Sequence, residues 1–258
     1  MEWNYRKVRE KTYSQSGVHE NGVLKDSLMD HDENRKMFDY IAPYYDRTNV
    51  ILSLGQDRYW RRRAVEDLLK SPAKLVLDVG AGTGDIGIKI LGKSPGTTVI
   101  GVDTSCDMMK VGMGKAAKLG LQQDIIFCSS DVQRLSFNDN TFDAAITSFC
   151  IRNVEQRVKA LEEIFRVLKS GARFVIVELT QPQGVLMKPL FNIYSKIVTP
   201  AITRMFSSVS AYDYLTESMA DFPKPTAFCE LLRQTGFGKV NFFYMTLGIV
   251  TVYESTKP

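Results

Sequence analysis

The chain has 258 residues, of which 44% are hydrophobic and 24% charged, and this composition is typical of a globular protein rather than a disordered or collagen-like one. With 33 basic and 29 acidic residues the net charge is +4, which gives no reason to expect a nucleic-acid partner. Two histidines and four widely spaced cysteines predict reduced thiols in a cytoplasmic protein and exclude the usual zinc motifs, so we expect no metal site.

The beginning of the chain predicts a tail followed by helices. Residues 1–32 are polar and aperiodic and lack the apolar core of a signal peptide, so we interpret them as a flexible tail. The remaining residues, 33–258, are predicted to form a single domain that opens with a helical lid over residues 33–72. One lid helix starts at Glu33 and carries an apolar face, and a later one lies around residues 60–69. Apolar runs are too short to span a membrane.

From residue 75 onward, short apolar runs alternate with helical patterns. Five of these runs are candidates for buried strands and lie at residues 75–79, 98–103, 124–131, 142–149 and 172–179. Such alternation predicts a mostly parallel, doubly wound α/β sheet, whose ligands bind at the carboxyl ends of the strands. Two further runs near the end of the chain, residues 240–246 and 248–255, predict an antiparallel strand pair and bring the total to seven strands.

A strongly amphipathic helix is predicted over residues 154–169, with Gly171 as its C-terminal stop. Its inward-facing positions are predicted to be the apolar ones, namely Val154, Val158, Leu161, Ile164, Phe165 and Leu168.

Residues 180–222 form an insertion ahead of the final strands. Within it, residues 185–206 are apolar on most of a helical circumference and are interrupted by Pro189 and Pro200. A helix of this kind packs in a core, lines a channel for an apolar tail or lies on a bilayer. We expect the insertion to form part of a substrate site.

The loop after the first predicted strand has two interpretations. Gly82 to Gly87 match the GxGxxG pattern of dinucleotide-binding proteins, with Asp103 about twenty residues further on. Alternatively, Gly80, Gly82 and Gly84 form the GxGxG loop of an S-adenosylmethionine (SAM) site.

Charge favours the SAM interpretation of this loop. Asp78 ends the strand and Asp85 begins the next helix, so a pyrophosphate there would be repelled by two carboxylates. SAM has no phosphate, and its sulfonium and ammonium groups are cationic. We therefore include Asp78 among the residues predicted to bind the cofactor.

Polar residues follow the next three predicted strands. Asp103 can accept hydrogen bonds from both ribose hydroxyls, although an Asp there could also cap the helix over residues 105–118. Asp131 and the N–H of Val132 can bind the adenine amine and a ring nitrogen, although Asp131 could also be a turn residue. Ser148, at the end of the fourth strand, is expected to line the same cleft.

Several segments together resemble a known family. They are VLDVGAGTGD, GVDTSCDMM, SFCIRN, YYDRTNVILSLGQDRYWRR and YDYLTESMADFP, and they are similar to segments of the ubiquinone/menaquinone biosynthesis C-methyltransferase family. The resemblance runs over about residues 37–254. Cys150 stands where that family usually has glycine, and GAGTG replaces the frequent GGTG; neither change removes a polar ligand group.

The resemblance implies a fold, a cofactor and a substrate. The fold is that of a Rossmann-like class I SAM-dependent methyltransferase, and the reaction is methylation of a ring carbon of a polyprenylated quinol. The quinol is demethylmenaquinol, the methoxy-benzoquinol precursor of ubiquinone, or both. The family's SAM contacts correspond to Thr83, Asp103, Asp131 with Val132, and Ser148. Partner hypotheses are peripheral contact with a membrane, where such a quinol resides, and a homodimer.

Four residues are candidates for catalysis. A quinol carbon becomes nucleophilic when the adjacent hydroxyl ionises, and the guanidinium of Arg152 can favour that ionisation, unless it forms a structural ion pair with a nearby helix. Asn153 can orient the ring hydroxyl or a water. Tyr45 and Asp46 lie in the lid segment, and Asp46 is a candidate base.

Three alternatives to a quinol methyltransferase remain open from the sequence. One is a SAM-dependent methyltransferase with another small-molecule or lipid acceptor. The others are an NAD(P)-dependent oxidoreductase and an inactive scaffold subunit with a SAM-binding fold.

Overall fold

The computed structural model describes residues 31–182 and 209–258, with side chains from Tyr214 onward in the second segment. Three helices precede the sheet: α1 (His31–Ile41), α2 (Tyr45–Leu52) and α3 (Asp57–Leu68). They occupy the predicted lid segment. Helix α1 begins at His31, so the last two residues of the predicted tail are helical, and residues 1–30 lie outside the described residues.

The sheet has the predicted seven strands. They are β1 (Leu75–Val79), β2 (Thr98–Asp103), β3 (Ile125–Ser129), β4 (Phe142–Ser148), β5 (Leu168–Leu179), β6 (Gly238–Met245) and β7 (Val250–Thr256). Their order is β3-β2-β1-β4-β5-β7-β6. Strand β7 runs antiparallel to both neighbours, and the other pairs are parallel. The mostly parallel sheet with a C-terminal antiparallel pair is therefore confirmed.

Helices cover both faces of the sheet. They are α4 (Asp85–Lys93), α5 (Cys106–Lys118), α6 (Arg157–Val167), α7 (Val209–Asp221) and α8 (Pro225–Gln234), with short 3-10 turns at Val132–Arg134 and Ile151–Asn153. Residues of α6 and α8 share one buried apolar cluster with the sheet, and residues of α3 and α4 share the other. Two covered faces explain why the central strands are continuous apolar runs rather than alternating ones.

Three details of the predicted helix over residues 154–169 were wrong: its start, the inward position of Val158 and its glycine stop. Helix α6 begins only at Arg157, and its buried positions are Arg157, Ala160, Leu161, Ile164 and Val167. Val158 falls outside this stripe and is 42% exposed. The helix ends without a glycine, because β5 starts directly at Leu168; Gly171, with a φ of +80°, lies inside β5.

Most of the predicted insertion lies outside the described residues. The described parts of residues 180–222 are residues 180–182 and helix α7, so the apolar stretch at residues 185–206 is not covered. Among the described helices, none is both long and apolar enough to cross a membrane.

Candidate active site

A cleft lies at the carboxyl ends of β1, β2 and β4, and residues of α1 and α2 line it from the opposite side. The open cleft encloses about 750 Å³, a volume that includes the solvent at its mouth. Eight predicted site residues line it: Tyr45, Gly80, Gly82, Asp103, Asp131, Val132, Ser148 and Asn153. Four predicted site residues do not: Asp46, Asp78, Thr83 and Arg152.

The glycine loop between β1 and α4 requires its glycines. Gly80, Gly82 and Gly84 have φ angles of +67°, +51° and +76°, a region that favours glycine. A Cβ on Gly80 would also collide with the Cys150 side chain, and one on Gly84 would come within 2.7 Å of the Phe127 ring. The loop backbone can therefore form the floor of the cleft.

Asp103 braces the glycine loop as well as lining the cleft. Its two carboxylate oxygens accept N–H bonds from Gly82 at 2.8 Å and Ser105 at 2.9 Å. The helix-cap alternative is not observed, because Ser105 caps α5 by accepting the Met108 N–H. Burial raises the pKa of Asp103 above its ordinary value. The backbone of Thr104 also bonds to this carboxylate, which still has acceptor capacity that a ribose hydroxyl could use.

Asp131 lines the cleft, as predicted, and is also the turn residue that the sequence offered as an alternative. It caps the 3-10 turn at Val132–Arg134, accepting the N–H of Gln133 at 2.9 Å and bonds from that residue's side-chain amide. His31 Nε2 lies 3.7 Å from the second carboxylate oxygen. Both His31 and Gln133 line the cleft, so the predicted adenine end is surrounded by three polar side chains.

The end of β4 presents an unpaired hydroxyl and a strained residue. Ser148 Oγ is buried and has no hydrogen-bond partner among the described residues, which fits a group reserved for a ligand. The next residue, Phe149, has a φ of +60°, and its carbonyl accepts bonds from Arg152 and Asn153. Strained backbone of this kind clusters at functional sites.

These groups fit SAM. The acidic Asp103 and Asp131 suit hydroxyl and amine donors, the open glycine backbone admits a close ligand, and the buried Ser148 hydroxyl supplies a further polar contact. The described residues hold no group of three His, Cys, Asp or Glu side chains arranged as metal ligands.

Arg152 forms the structural ion pair that the sequence left open, with a strand residue as its partner. Its Nη1 lies 2.7 Å from Glu178 Oε1 on β5 and 2.8 Å from the Phe149 carbonyl. Both charged side chains are almost fully buried. Burial alone would lower the pKa of Arg152, but the Glu178 carboxylate raises it above its ordinary value. The catalytic role of Arg152 stays a prediction.

Asn153 joins three separate elements at the cleft. Its side-chain oxygen accepts the Tyr214 hydroxyl of α7 at 3.0 Å, and its backbone carbonyl accepts the amide of Asn34 in α1 at 3.2 Å. Asn34 also donates to the Tyr214 hydroxyl at 2.9 Å. The side-chain amide of Asn153 is therefore oriented by Tyr214, 61 positions away, at its oxygen and by the Phe149 carbonyl at its nitrogen.

Tyr45 and Asp46 begin α2 and have different surroundings. Tyr45 lines the cleft, and burial raises its pKa, while the charges of Arg61 and, to a smaller extent, Arg152 act in the opposite direction. Asp46 points to the glycine loop, where it accepts the Thr83 hydroxyl at 2.6 Å and the Lys115 ammonium at 2.8 Å. Thr83 is thus bonded to the lid rather than exposed to the cleft.

The two acids used in the charge argument do not face the cleft. Burial raises the pKa of Asp78 to about 7, and its Oδ2 has no partner among the described residues. Burial would also raise the pKa of Asp85, but Arg61 and Lys115 hold it below its ordinary value. Asp85 is therefore neutralised by two cations, and the acidic residues that line the cleft are Asp103, Asp131 and Glu155.

Sequence reasoning missed five polar residues at or behind the cleft. They are His31, Asn34, Gln133, Glu178 and Tyr214. Two signals pointed toward them. Glu178 is an acid in an otherwise apolar strand, and buried charges are normally paired. Gln133 comes two residues after a predicted ligand, whereas His31 and Asn34 carry no local signal.

The fold and the cleft define a SAM-dependent methyltransferase of class I. A SAM-dependent methyltransferase from Thermotoga maritima superposes with a TM-score of 0.60 at 17% identity, covering 86% of this chain and 99% of that one. Phosphoethanolamine N-methyltransferase 2 from Haemonchus contortus, solved with S-adenosyl-L-methionine, gives a TM-score of 0.58 at 17% identity, covering 84% of this chain and 60% of that one. At these identities the similarity concerns the fold.

The chain belongs to the ubiE/COQ5 methyltransferase family, whose profile matches residues 27–257. A demethylmenaquinone methyltransferase from Bacteroides fragilis is 41% identical, covering 98% of this chain and all of the relative. A ubiquinone/menaquinone biosynthesis C-methyltransferase from Geobacter sp. strain M21 is also 41% identical, covering 86% of this chain and 95% of the relative. The family resemblance and the prediction of SAM as the cofactor are confirmed.

Proposed function

We propose that the protein transfers the methyl group of SAM to a ring carbon of a polyprenylated quinol in menaquinone or ubiquinone biosynthesis. One observation carries this proposal: Tyr45 and Asn153 line the same continuous cleft as Asp103, Asp131 and Ser148. The first pair suits the oxygens of a phenolic ring, and the second set suits SAM. The names of the full-length relatives support a quinol as the acceptor.

The residues around the ring have separate proposed roles. When bound, SAM supplies an electrophilic methyl group, and the acceptor carbon must approach it in line at about 3–3.5 Å. Tyr45, whose pKa is raised by burial, stays protonated and donates a hydrogen bond to a quinol oxygen. Asn153 orients the ring, since its own amide is fixed by Tyr214.

Arg152 and Asp46 are proposed to act without touching the ring. The Arg152 guanidinium opposes the rise in the pKa of Tyr45, and the same charge favours ionisation of a quinol hydroxyl nearby. Ionisation pushes electron density onto the ring carbon, which bonds to the methyl carbon as the methyl–sulfur bond breaks and the neutral thioether leaves. The methylated carbon then loses its proton to water, which restores the aromatic ring. Asp46, already bonded to Thr83 and Lys115, positions Tyr45 rather than taking that proton.

Three predictions about surroundings remain proposals. Residues 180–222 are proposed to contribute to the quinol site, the protein is proposed to contact a membrane peripherally, and a homodimer is a further hypothesis. Light scattering of the purified protein measures the oligomeric state directly.

The reaction itself is tested with isotope-labelled SAM and short-tailed demethylmenaquinol and methoxy-benzoquinol, each supplied reduced and oxidised. We expect label on a ring carbon, with the reduced acceptor only, because the quinone has no hydroxyl to ionise. Mass spectrometry locates the label and shows which ring is preferred. SAM binding without label on either ring would contradict the quinol assignment but not the cofactor assignment.

A further inference from the structure

Two neighbouring turns expose leucines at the edge of the molecule. The turn after α2 and the turn between β6 and β7 are joined through Thr246, whose hydroxyl donates to Gln56 Oε1 and accepts from Trp60 Nε1, both at 2.7 Å. Leu54 is 77% exposed and Leu247 is 70% exposed. They are the two most exposed large hydrophobic residues in the described part of the chain.

The backbone makes these two leucines unusual. Leu54 and Leu247 have φ angles of +52° and +55°, a left-handed conformation that glycine and asparagine adopt far more readily. Leucine at such a site is unfavourable for the turn, and its exposure is unfavourable in water. Two such positions, on turns that Thr246 joins, indicate that the leucines have a role outside the folded monomer.

The two turns lie on the active-site side of the sheet. Strand β6 is parallel to β4 and β5, so the turn after Met245 is at the same edge as the carboxyl ends that form the cleft. Trp60 packs edge-on against Phe149, which lines the cleft. Thr180, the first residue of the predicted insertion, donates to the Gly248 carbonyl at 3.0 Å. The insertion therefore begins next to the turn between β6 and β7.

The outer face of α3 adds positive charge next to the leucines. Arg58 and Tyr59 are exposed, and the guanidinium of Arg62 lies 5.8 Å from the centre of the Tyr59 ring. The nearby acid, Asp57, is buried in an ion pair with Arg61 at 2.6 Å. Glu66, one turn further on, lies 4.0 Å from Arg62 and also pairs with Lys93 at 3.0 Å. Three exposed or half-exposed cations, Arg58, Arg62 and Lys93, therefore surround one half-exposed acid, and this net positive charge is complementary to anionic lipid headgroups.

We propose that these features form one membrane-docking surface, defined by Leu54, Leu247, Tyr59, Arg58 and Arg62, that binds a bilayer containing anionic phospholipid. The leucines enter the headgroup region and the arginines contact lipid phosphates. The proposal rests on the proposed function, because a polyprenylated quinol resides in a bilayer. Docking at this edge brings the cleft to the membrane from which that substrate is taken.

The test is sedimentation of the full chain with vesicles of phosphatidylcholine alone and of phosphatidylcholine with phosphatidylglycerol. We expect binding to the anionic vesicles, weakened roughly tenfold or more by Leu54→Asn with Leu247→Asn and about fivefold by Arg58→Gln. Asparagine suits both backbones, so the double variant should keep its melting temperature. The matched control is Leu119→Asn, which changes a leucine that is 59% exposed after α5 and should leave binding unchanged.

The vesicle and methylation experiments separate failure of the docking surface from failure of the proposed function. Equal vesicle binding by the wild type, the double variant and the control would overturn the docking surface, and so would equal binding to neutral and anionic vesicles. A dimer that becomes a monomer in the double variant would also overturn it, in favour of contact between two copies. Methylation of a short-tailed quinol should be equal in the wild type and the double variant, and its absence in both would contradict the proposed function instead.

Discussion

Lys115 Nζ lies 2.8 Å from Asp46 Oδ2, across 69 positions of sequence, and so fixes the lid helix α2 to α5. The same ammonium bonds to Asp85 at the start of α4. Because Tyr45 precedes Asp46 and lines the cleft, this single lysine links the position of the proposed ring-binding tyrosine to the cofactor loop.

Lys115→Met is expected to lower kcat about tenfold, since charge-assisted hydrogen bonds each contribute about 1.5–3 kcal/mol and Tyr45 loses its anchor. The affinity for SAM should change much less. Lys110→Met on the same helix is the control, because Lys110 is 68% exposed and pairs with Asp107 at the surface. A larger effect on SAM affinity than on kcat would contradict the positioning role.

Asp103→Ala is expected to abolish measurable SAM binding, and Asp103→Asn to weaken it by about a hundredfold, as loss of two bonds to a charged acceptor predicts. Calorimetric titration measures the affinity. Asp107→Asn provides a surface control. Because Asp103 also holds Gly82 and Ser105, circular dichroism must show that each variant is folded; a folded alanine variant with unchanged affinity would refute the ribose role.

The buried pair of Arg152 and Glu178 permits a test that separates stability from catalysis. Removing one partner of a buried pair typically costs about 3–5 kcal/mol, so Glu178→Gln should lower the free energy of unfolding by about that amount. Arg152→Gln combined with Glu178→Gln should recover much of the stability. Methyl transfer by this double variant should stay well below that of the wild type, with SAM affinity nearly unchanged. Wild-type activity in the double variant would show that Arg152 has only a structural role.

Asp78 predicts a pH dependence of stability. Its folded pKa of about 7 lies above the ordinary carboxyl value, so the folded state binds more protons than the unfolded state between about pH 4 and 7. The contribution of Asp78 to the free energy of unfolding therefore falls as pH rises through that window and is constant above it.

Asp78→Asn removes this titration. The stability of the variant relative to the wild type should rise by about a few kcal/mol from pH 4 to pH 7 and then level off. Urea unfolding at several pH values measures this difference in the free energy of unfolding. For the control Asp107→Asn, the difference from the wild type should not change with pH. A flat difference for Asp78→Asn would show that the carboxyl ionises normally in the folded protein.

Much of the fold could be predicted because its strands are short, continuous apolar runs buried on both faces. The predicted strand at residues 75–79 matches β1, and 98–103 matches β2. The start of β5 was predicted four residues too late, at residue 172 instead of Leu168, because Leu168 was assigned to the helix before it. A helix and a strand that meet without a turn leave no glycine or proline signal at the boundary.

The site was predicted less evenly than the fold. Ligands that follow strands, such as Asp103 and Ser148, could be located because the topology alone brings strand ends together. Asn34 and Tyr214 could not, since their bond spans 180 positions and nothing in the intervening sequence encodes it. The charge argument for SAM reached the confirmed cofactor through Asp78 and Asp85, although neither carboxylate faces the cleft.

The double attachment of Asp103 affects how relatives of this chain should be interpreted. A carboxylate that holds the glycine loop to the start of α5 would be retained by selection for stability alone, even in a descendant that had ceased to transfer methyl groups. Its presence in a related sequence is therefore a poor marker of activity. Ser148 is a better one, because a buried hydroxyl with no partner among the described residues contributes nothing to folding that alanine would not.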